Sequence, residues 1–213
     1  MAYSFWANVG VDIETDKGTA ITINSISKAS PPVVGYTGTD PVSGDVMLLS
    51  IAGMTQLHKR AVRVANVDVG ANTFEIEDED STNYSTFVSG TATPITLGAS
   101  MTTVQDVSSG GGEPEFKDIT TIHDQIRREV PTVVSAFNLS FGCLWDMTDA
   151  AHIELKKATL ELTERVVRIR FSNGVQMIGS AYVSAVGVPT GAAQDVVKTP
   201  VSFTMQGLPS IVS

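Results

Sequence analysis

Cysteine is almost missing from this sequence. In 213 residues Cys143 stands alone, which excludes an intrachain disulfide framework and a cysteine-rich zinc site and fits folding in a reducing compartment. Charge is also sparse: 17% of residues are charged against 42% hydrophobic, so the chain can bury a core and lacks the charge density of a disordered one. Basic residues are the scarcer sign, 14 Lys and Arg against 23 Asp and Glu, for a formal net charge of −9. Proteins that grip phosphate backbones gather Lys and Arg on one face, so tight nucleic-acid binding is disfavoured. No run approaches the roughly 20 apolar residues of a membrane helix. The opening Met1-Ala2-Tyr3-Ser4-Phe5-Trp6 has neither the basic start nor the apolar stretch of a secretion signal. The expectation is a soluble protein made in the cytosol, with no membrane partner.

The residues of common enzyme sites are missing too. There is no phosphate-binding glycine loop followed by Lys-Ser or Lys-Thr, no dinucleotide fingerprint and no His-Glu-x-x-His helix. His58, His123 and His152 each lack a second His or Cys at ligand spacing, and are read as ordinary surface or interface residues. Cys143 lies on an apolar strand face and is read as core. The acidic run Glu75-Ile76-Glu77-Asp78-Glu79-Asp80 lacks the order of a calcium loop and is read as a solvated strand end. Gly110-Gly111-Gly112 precedes no Lys or helix start and is read as flexibility. Neither a catalytic group, a cofactor site nor a metal site is expected.

What is present is β structure. Val11–Ile26 alternates loosely and predicts an N-terminal hairpin turning at Asp16-Lys17-Gly18. Short apolar runs at Pro32–Tyr36, Val46–Ser50, Val62–Val67 and Thr73–Ile76, separated by turn residues, predict a small antiparallel unit over 27–96. In it Val62 and Val64 oppose Arg63, and Phe74 and Ile76 oppose Glu75. Thr102–Val130 lacks apolar period and reads as a long loop. Loops of that length are uncommon unless functional, so Ser108, Gly110, Gly112, Glu113, Phe116, Arg127 and Arg128 are candidates for an arm toward a neighbouring subunit, with a plain surface loop as the alternative. From Thr132 the alternation is regular, Val133, Ser135, Phe137, Leu139 and Phe141 facing one way. Thr148 is placed to cap a helix over about Asp149–Thr163 with the stripe Ala151, Leu155, Ala158 and Leu162. Val166–Phe171 turns at Ser172-Asn173-Gly174 onto Val175–Val186, and Pro200–Gly207 is the last strand. The fold class is mainly β: a β-sandwich with one helix over 1–26 and 97–213, carrying the 27–96 unit.

The sequence Phe137-Asn138-Leu139-Ser140-Phe141, the helix, Val167-Arg168-Ile169-Arg170-Phe171-Ser172-Asn173-Gly174, Val183-Ser184-Ala185-Val186-Gly187 and Gly207-Leu208-Pro209-Ser210 together resemble the tail-tube proteins of lambda-like, long-tailed bacteriophages. The likeness covers Val130 to the last residue, with the N-terminal hairpin as a weaker extension. Gly44-Asp45-Val46 through Gly53-Met54-Thr55-Gln56-Leu57, then Val64-Ala65-Asn66-Val67 and Asn72-Thr73-Phe74-Glu75-Ile76, resemble a small β module of phage tail proteins.

The resemblance implies a tail-tube-type β-sandwich or barrel flanked by one helix, closing as homohexameric rings stacked into a tube. Its implied partners are further copies of itself, the tail-tip initiator, the tape-measure protein and the terminator, with double-stranded DNA passing the lumen unbound. Asn138, Ser140, Ser202, Thr204 and Gln206 are small polar groups opposite a greasy face and are candidates for the lumen, and Arg168 and Arg170 either line it or pair with acids of a neighbour. An acidic protein would repel DNA and let it slide. The 27–96 unit is expected outside the tube, since the lumen must stay clear. The rival readings are the tube of a contractile injection system or gene-transfer particle, a two-domain β adhesin, and an enzyme.

Overall fold

The computed structural model describes residues 9–213, so the Met1–Trp6 segment lies outside it. The first strands are β1 (Gly10–Ile13), β2 (Asp16–Lys17), β3 (Ile21–Ile26), β4 (Val33–Thr37), β5 (Val46–Ala52), β6 (Ala61–Asp68), β7 (Thr73–Ile76), β8 (Ser89–Thr96) and β9 (Ala99–Met101). There follow β10 (Val104–Gly110), β11 (Pro114–Asp118), β12 (Glu129–Val134), β13 (Asn138–Leu144), the helix α1 (Ala150–Glu161), β14 (Glu164–Arg170), β15 (Gln176–Ser184), β16 (Lys198–Met205) and β17 (Ser210–Val212).

Alternation in the middle of the chain closes a barrel. Strands run β8-β3-β4-β7-β6-β5, and β5 pairs back on β8, with β2 extending β8. Closure leaves no free edge. Every second residue points in: Ile21 and Ile23, Met47 and Leu49, Val62 and Val64, Phe74 and Ile76 are all buried. Tyr36 and Phe74 pack with ring centroids 5.8 Å apart.

The rest of the chain forms an antiparallel sheet in the order β10-β13-β16-β15-β14-β1-β9, with β17 on β15. Its end strands β9 and β10 are separated only by Thr102 and Thr103, which span about 11 Å at most. The sheet therefore curls until its edges approach. Val11, Leu139, Phe141, Val167, Ile169 and Phe203 fill the interior with Leu155 of α1, and Phe141 meets Phe203 edge to face at 5.4 Å.

Several expectations change. Val11–Ile26 is not a hairpin: β1 pairs with β14 and β9, whereas β3 pairs with β4 and β8. Asp12 of β1 and Glu14 just after it are both buried, each beside a basic partner. Because β3 belongs to the barrel, the chain enters that unit at Asp16 and leaves it at Thr96, ahead of the expected start at 27. Asp149, not Thr148, caps the helix, its carboxylate accepting the Ala151 and His152 N–H groups while Thr148 turns to Asp146. Ala151, Leu155 and Ala158 are buried as the stripe requires, but Leu162 takes a left-handed φ of 53° and ends the helix, 80% exposed.

The two units share a core. Val46, Ala61 and Ile95 of the barrel pack on Val166, Ile178 and Val212. A fully buried Val or Ile contributes about 1.5–3 kcal/mol. Around it Lys59 binds Glu164 at 2.7 Å, and Ser213 donates its N–H to Asp78 at 2.9 Å. The acidic run is thus a docking set rather than a solvated end: Glu77 pairs with Arg63, and Glu79, 9% exposed, with Arg60.

Candidate functional site

The outer face of the curled sheet is divided between two environments. Over β14 and β15 it lies under the barrel. Over β10, β13 and β16 it is bare. There Asn138 stands opposite Thr204 and Ser140 opposite Ser202, the two serine hydroxyls 3.2 Å apart. β10 adds Ser108 opposite Ser140 and Gly110 opposite Asn138, and β15 adds Ser184 opposite Ser202. Gln206 continues the stripe, donating its side-chain amide to the Thr204 carbonyl at 3.2 Å. The stripe is uncharged along its length. Asp106 and Lys198, 3.9 Å apart, sit at one end.

Period 2 produces this face. The residues between the polar ones, Leu139, Phe141, Cys143, Val201, Phe203 and Met205, are all buried. Burial pushes the Cys143 thiol up to about 11, which leaves it protonated and inert.

Arg168 and Arg170 do not join the stripe. Both converge on Asp12, Arg168 at 2.8 Å and Arg170 at 2.7 Å, and Ser100 donates to the same carboxylate at 2.7 Å. Burial opposes the charge on Asp12, but hydrogen bonds from Arg170, Ser100 and Arg168 outweigh it and hold the carboxyl below the usual range. The cluster is an internal staple between β1, β14 and β9.

The stretch from Thr102 to Val130 is not a loop. β10 runs through Ser108 and Gly110 as part of the curled sheet, and β11 and β12 form a separate two-stranded arm. Every residue of β11 and β12 is exposed, so neither face is apolar enough to give a sequence period. The expected continuous strand from Thr132 is broken at Ser135–Phe137, opposite Gly111 and Gly112. Both glycines have φ of +80°, and a Cβ on Gly111 would sit 2.0 Å from the Ala136 carbonyl oxygen. The root is closed by Gly112 donating to Ser135 at 3.2 Å and Ser135 to Glu113 at 2.9 Å. Further out, Phe116 is 60% exposed. Arg127 pairs with Asp118 at 3.2 Å and Glu129 at 2.8 Å, and Arg128 with Asp124 at 3.9 Å.

Residues 52–213, well over half of the chain, match the family model described as phage tail tube protein, TTP. The chain belongs to the phage tail tube protein family. No curated protein matches it. The family match begins at the last residue of β5 and so takes in three of the barrel strands, β6, β7 and β8, together with the arm and all of the curled sheet except β1 of this tail tube protein. The bare stripe and the arm are therefore features of a structural tail tube subunit and a component of the virion. No helix among the described residues is long and apolar enough to cross a membrane. Sequence reasoning missed Asp12, whose two arginine partners lie more than 150 positions away, and β17; no local signal pointed to either.

Proposed function

We propose that this subunit of a long-tailed phage closes into hexameric rings that stack into a tube, and that double-stranded DNA passes through the tube into the host. The observation that carries this reading is the division of the sheet's outer face. One half is buried under the barrel; the other is left bare with small uncharged groups, Asn138, Ser140, Ser202, Thr204 and Gln206. A lumen wall of that kind offers a polyanion no cation to stick to. Because the sheet curls, the bare strip and the barrel point in different directions, which suits a strip on the lumen and a barrel outside.

The chain's excess acid is not concentrated on the stripe, whose charged residues are Asp106 and Lys198 at its end. Passage of DNA then rests on the absence of attraction rather than on strong repulsion. The arm supplies the contact between copies, and tail-tip initiator, tape-measure and terminator proteins complete the assembly in the host cytoplasm before it becomes part of the virion.

Electron microscopy of the purified chain, concentrated alone and in the presence of a tail-tip complex, tests this. Six-fold rings or tubes with Asn138 and Thr204 on a channel wide enough for a duplex are the expected result. Rings with the barrel turned into the channel, or a chain that stays monomeric under both conditions, would sink the reading.

A further inference from the structure

The hairpin that joins β14 to β15 turns through Ser172-Asn173-Gly174, and Asn173-Gly174 is the one place in the chain where glycine follows asparagine. The other six asparagines precede Val, Ser, Thr, Tyr or Leu, and no Asp-Gly pair occurs. An asparagine side chain is open to attack by the backbone nitrogen of the residue after it. A side chain on that next residue crowds the approach, whereas glycine, with no Cβ, leaves it clear. Ser172, Asn173 and Gly174 are all exposed, and a Cβ on Gly174 would meet nothing within 4 Å. Solvent therefore reaches the turn.

The same turn is held by three hydrogen bonds. Phe171 donates its N–H to the Val175 carbonyl at 2.8 Å and Gly174 to the Phe171 carbonyl at 3.1 Å. Val175 donates to the side-chain oxygen of Asn173 at 3.2 Å. Gly174 takes the left-handed φ of 92° that closes a three-residue hairpin loop, and Arg170 and Gln176 meet in register at its base. The nitrogen that would attack is thus engaged with Phe171, and the amide that would be attacked is fixed by Val175. Both bonds must open before the nitrogen reaches the side-chain carbon.

We propose that Asn173 is this chain's site of spontaneous deamidation and that the hairpin is its gate. The Gly174 nitrogen bonds to Cγ of Asn173, the bond from Cγ to the side-chain nitrogen breaks, and the displaced amide leaves as ammonia, carrying off the Gly174 proton. Water then opens the resulting cyclic succinimide at either carbonyl, giving aspartate or isoaspartate at this position. Neither an oxidant nor a cofactor is required. Aspartate keeps an oxygen for the Val175 N–H. Isoaspartate instead routes the main chain through the side-chain methylene, which lengthens a loop whose length sets the strand register. That register places Arg170, whose guanidinium binds Asp12 at 2.7 Å, so the isoaspartate form loosens the staple between β1, β14 and β9. The reaction belongs to the single chain and is independent of the assembly reading above.

The test follows the full-length chain in mildly alkaline buffer, one portion folded and one in urea, with trypsin digestion at intervals. Cleavage after Arg170 and Lys198 releases residues 171–198, in which Asn173 is the one asparagine. This peptide is expected to gain the mass difference between an amide and an acid, and to split into aspartate and isoaspartate forms, before any other asparagine reacts. The change should run about tenfold faster or more in urea, because opening the folded hairpin costs free energy. Asn173→Gln, whose amide would have to close a larger ring, should leave the peptide unmodified over the same period. Earlier reaction at another asparagine, or an equal mass gain in Asn173→Gln, overturns the site. Equal rates in the folded and urea-treated portions overturn the gate.

Discussion

Arg60 and Glu79 meet through two hydrogen bonds of 2.5 and 2.8 Å inside the seam between barrel and curled sheet, and Arg60 also reaches the Ser210 hydroxyl of β17 at 3.2 Å. Both side chains are below 10% exposed, at 7% and 9%. Removing one partner of such a pair strands the other charge without water. Arg60→Ala is therefore expected to cost about 3–5 kcal/mol, read as a lowered midpoint in urea denaturation. Replacing both residues by apolar ones of similar volume should cost distinctly less. Equal losses for the single and double variants would show that the cost is not that of a stranded buried charge.

Stability should fall on acidification through Asp12 and Glu164. Burial opposes ionisation of both, but Arg170, Ser100 and Arg168 bind Asp12, and Lys59 and Ser180 bind Glu164, so both folded-state values lie below the ordinary ones. A depressed carboxyl stabilises the fold above its unfolded value and loses that contribution as pH falls through its folded value. The loss therefore starts near pH 4 and continues below it. Glu14 behaves oppositely: burial dominates and raises it despite the Val166 N–H, Lys17 and Arg165. Its charge is a cost at neutral pH. Thermal melts should show Asp12→Asn lowering the midpoint at pH 7 and flattening the acid limb, with Glu14→Gln raising the midpoint at pH 7. A Glu14→Gln midpoint below that of the parent would reverse the assignment.

Strands with one buried face were legible in the sequence. β7 coincides with Thr73–Ile76, and the turn at Ser172–Gly174 joins β14 to β15 with Phe171 donating to Val175 at 2.8 Å. The polar stripe was legible for the same reason, because Ser140 and Ser202 alternate with buried Phe141 and Val201. Three features were not. The arm strands are wet on both faces and carry no period. β1 is buried on both faces, so Asp12 within it and Glu14 just after it imitate an exposed side. The pairing of β3 with the barrel depends on contacts to β8, which begins at Ser89 and had no local signal of its own. Local pattern reports which face is buried, and not what covers it.

Gly111 fixes the arm's direction. At φ +80° any side chain is strained, and a Cβ would collide with the Ala136 carbonyl. Gly111→Ala should therefore leave the thermal midpoint of the body almost unchanged, since the arm lies outside both cores, while blocking assembly in sedimentation experiments. Normal assembly of this variant would mean that the arm's exit angle is immaterial.

A single positive charge on the bare stripe should separate assembly from transport. Asn138 is exposed and its neighbours Thr204 and Gly110 are uncharged, so Asn138→Lys should change stability by no more than about 0.5 kcal/mol. In a ring, however, each copy would contribute one cation to the wall. Every phosphate such a cation meets adds about 0.9 to the slope of log affinity against log salt, turning a wall without attraction into one that holds DNA at low salt. Tubes of the variant should form at the parental rate and retain DNA in a filter-binding assay, with retention lost as salt rises. Tubes that form but retain no more DNA than the parent at any salt would place Asn138 away from the channel.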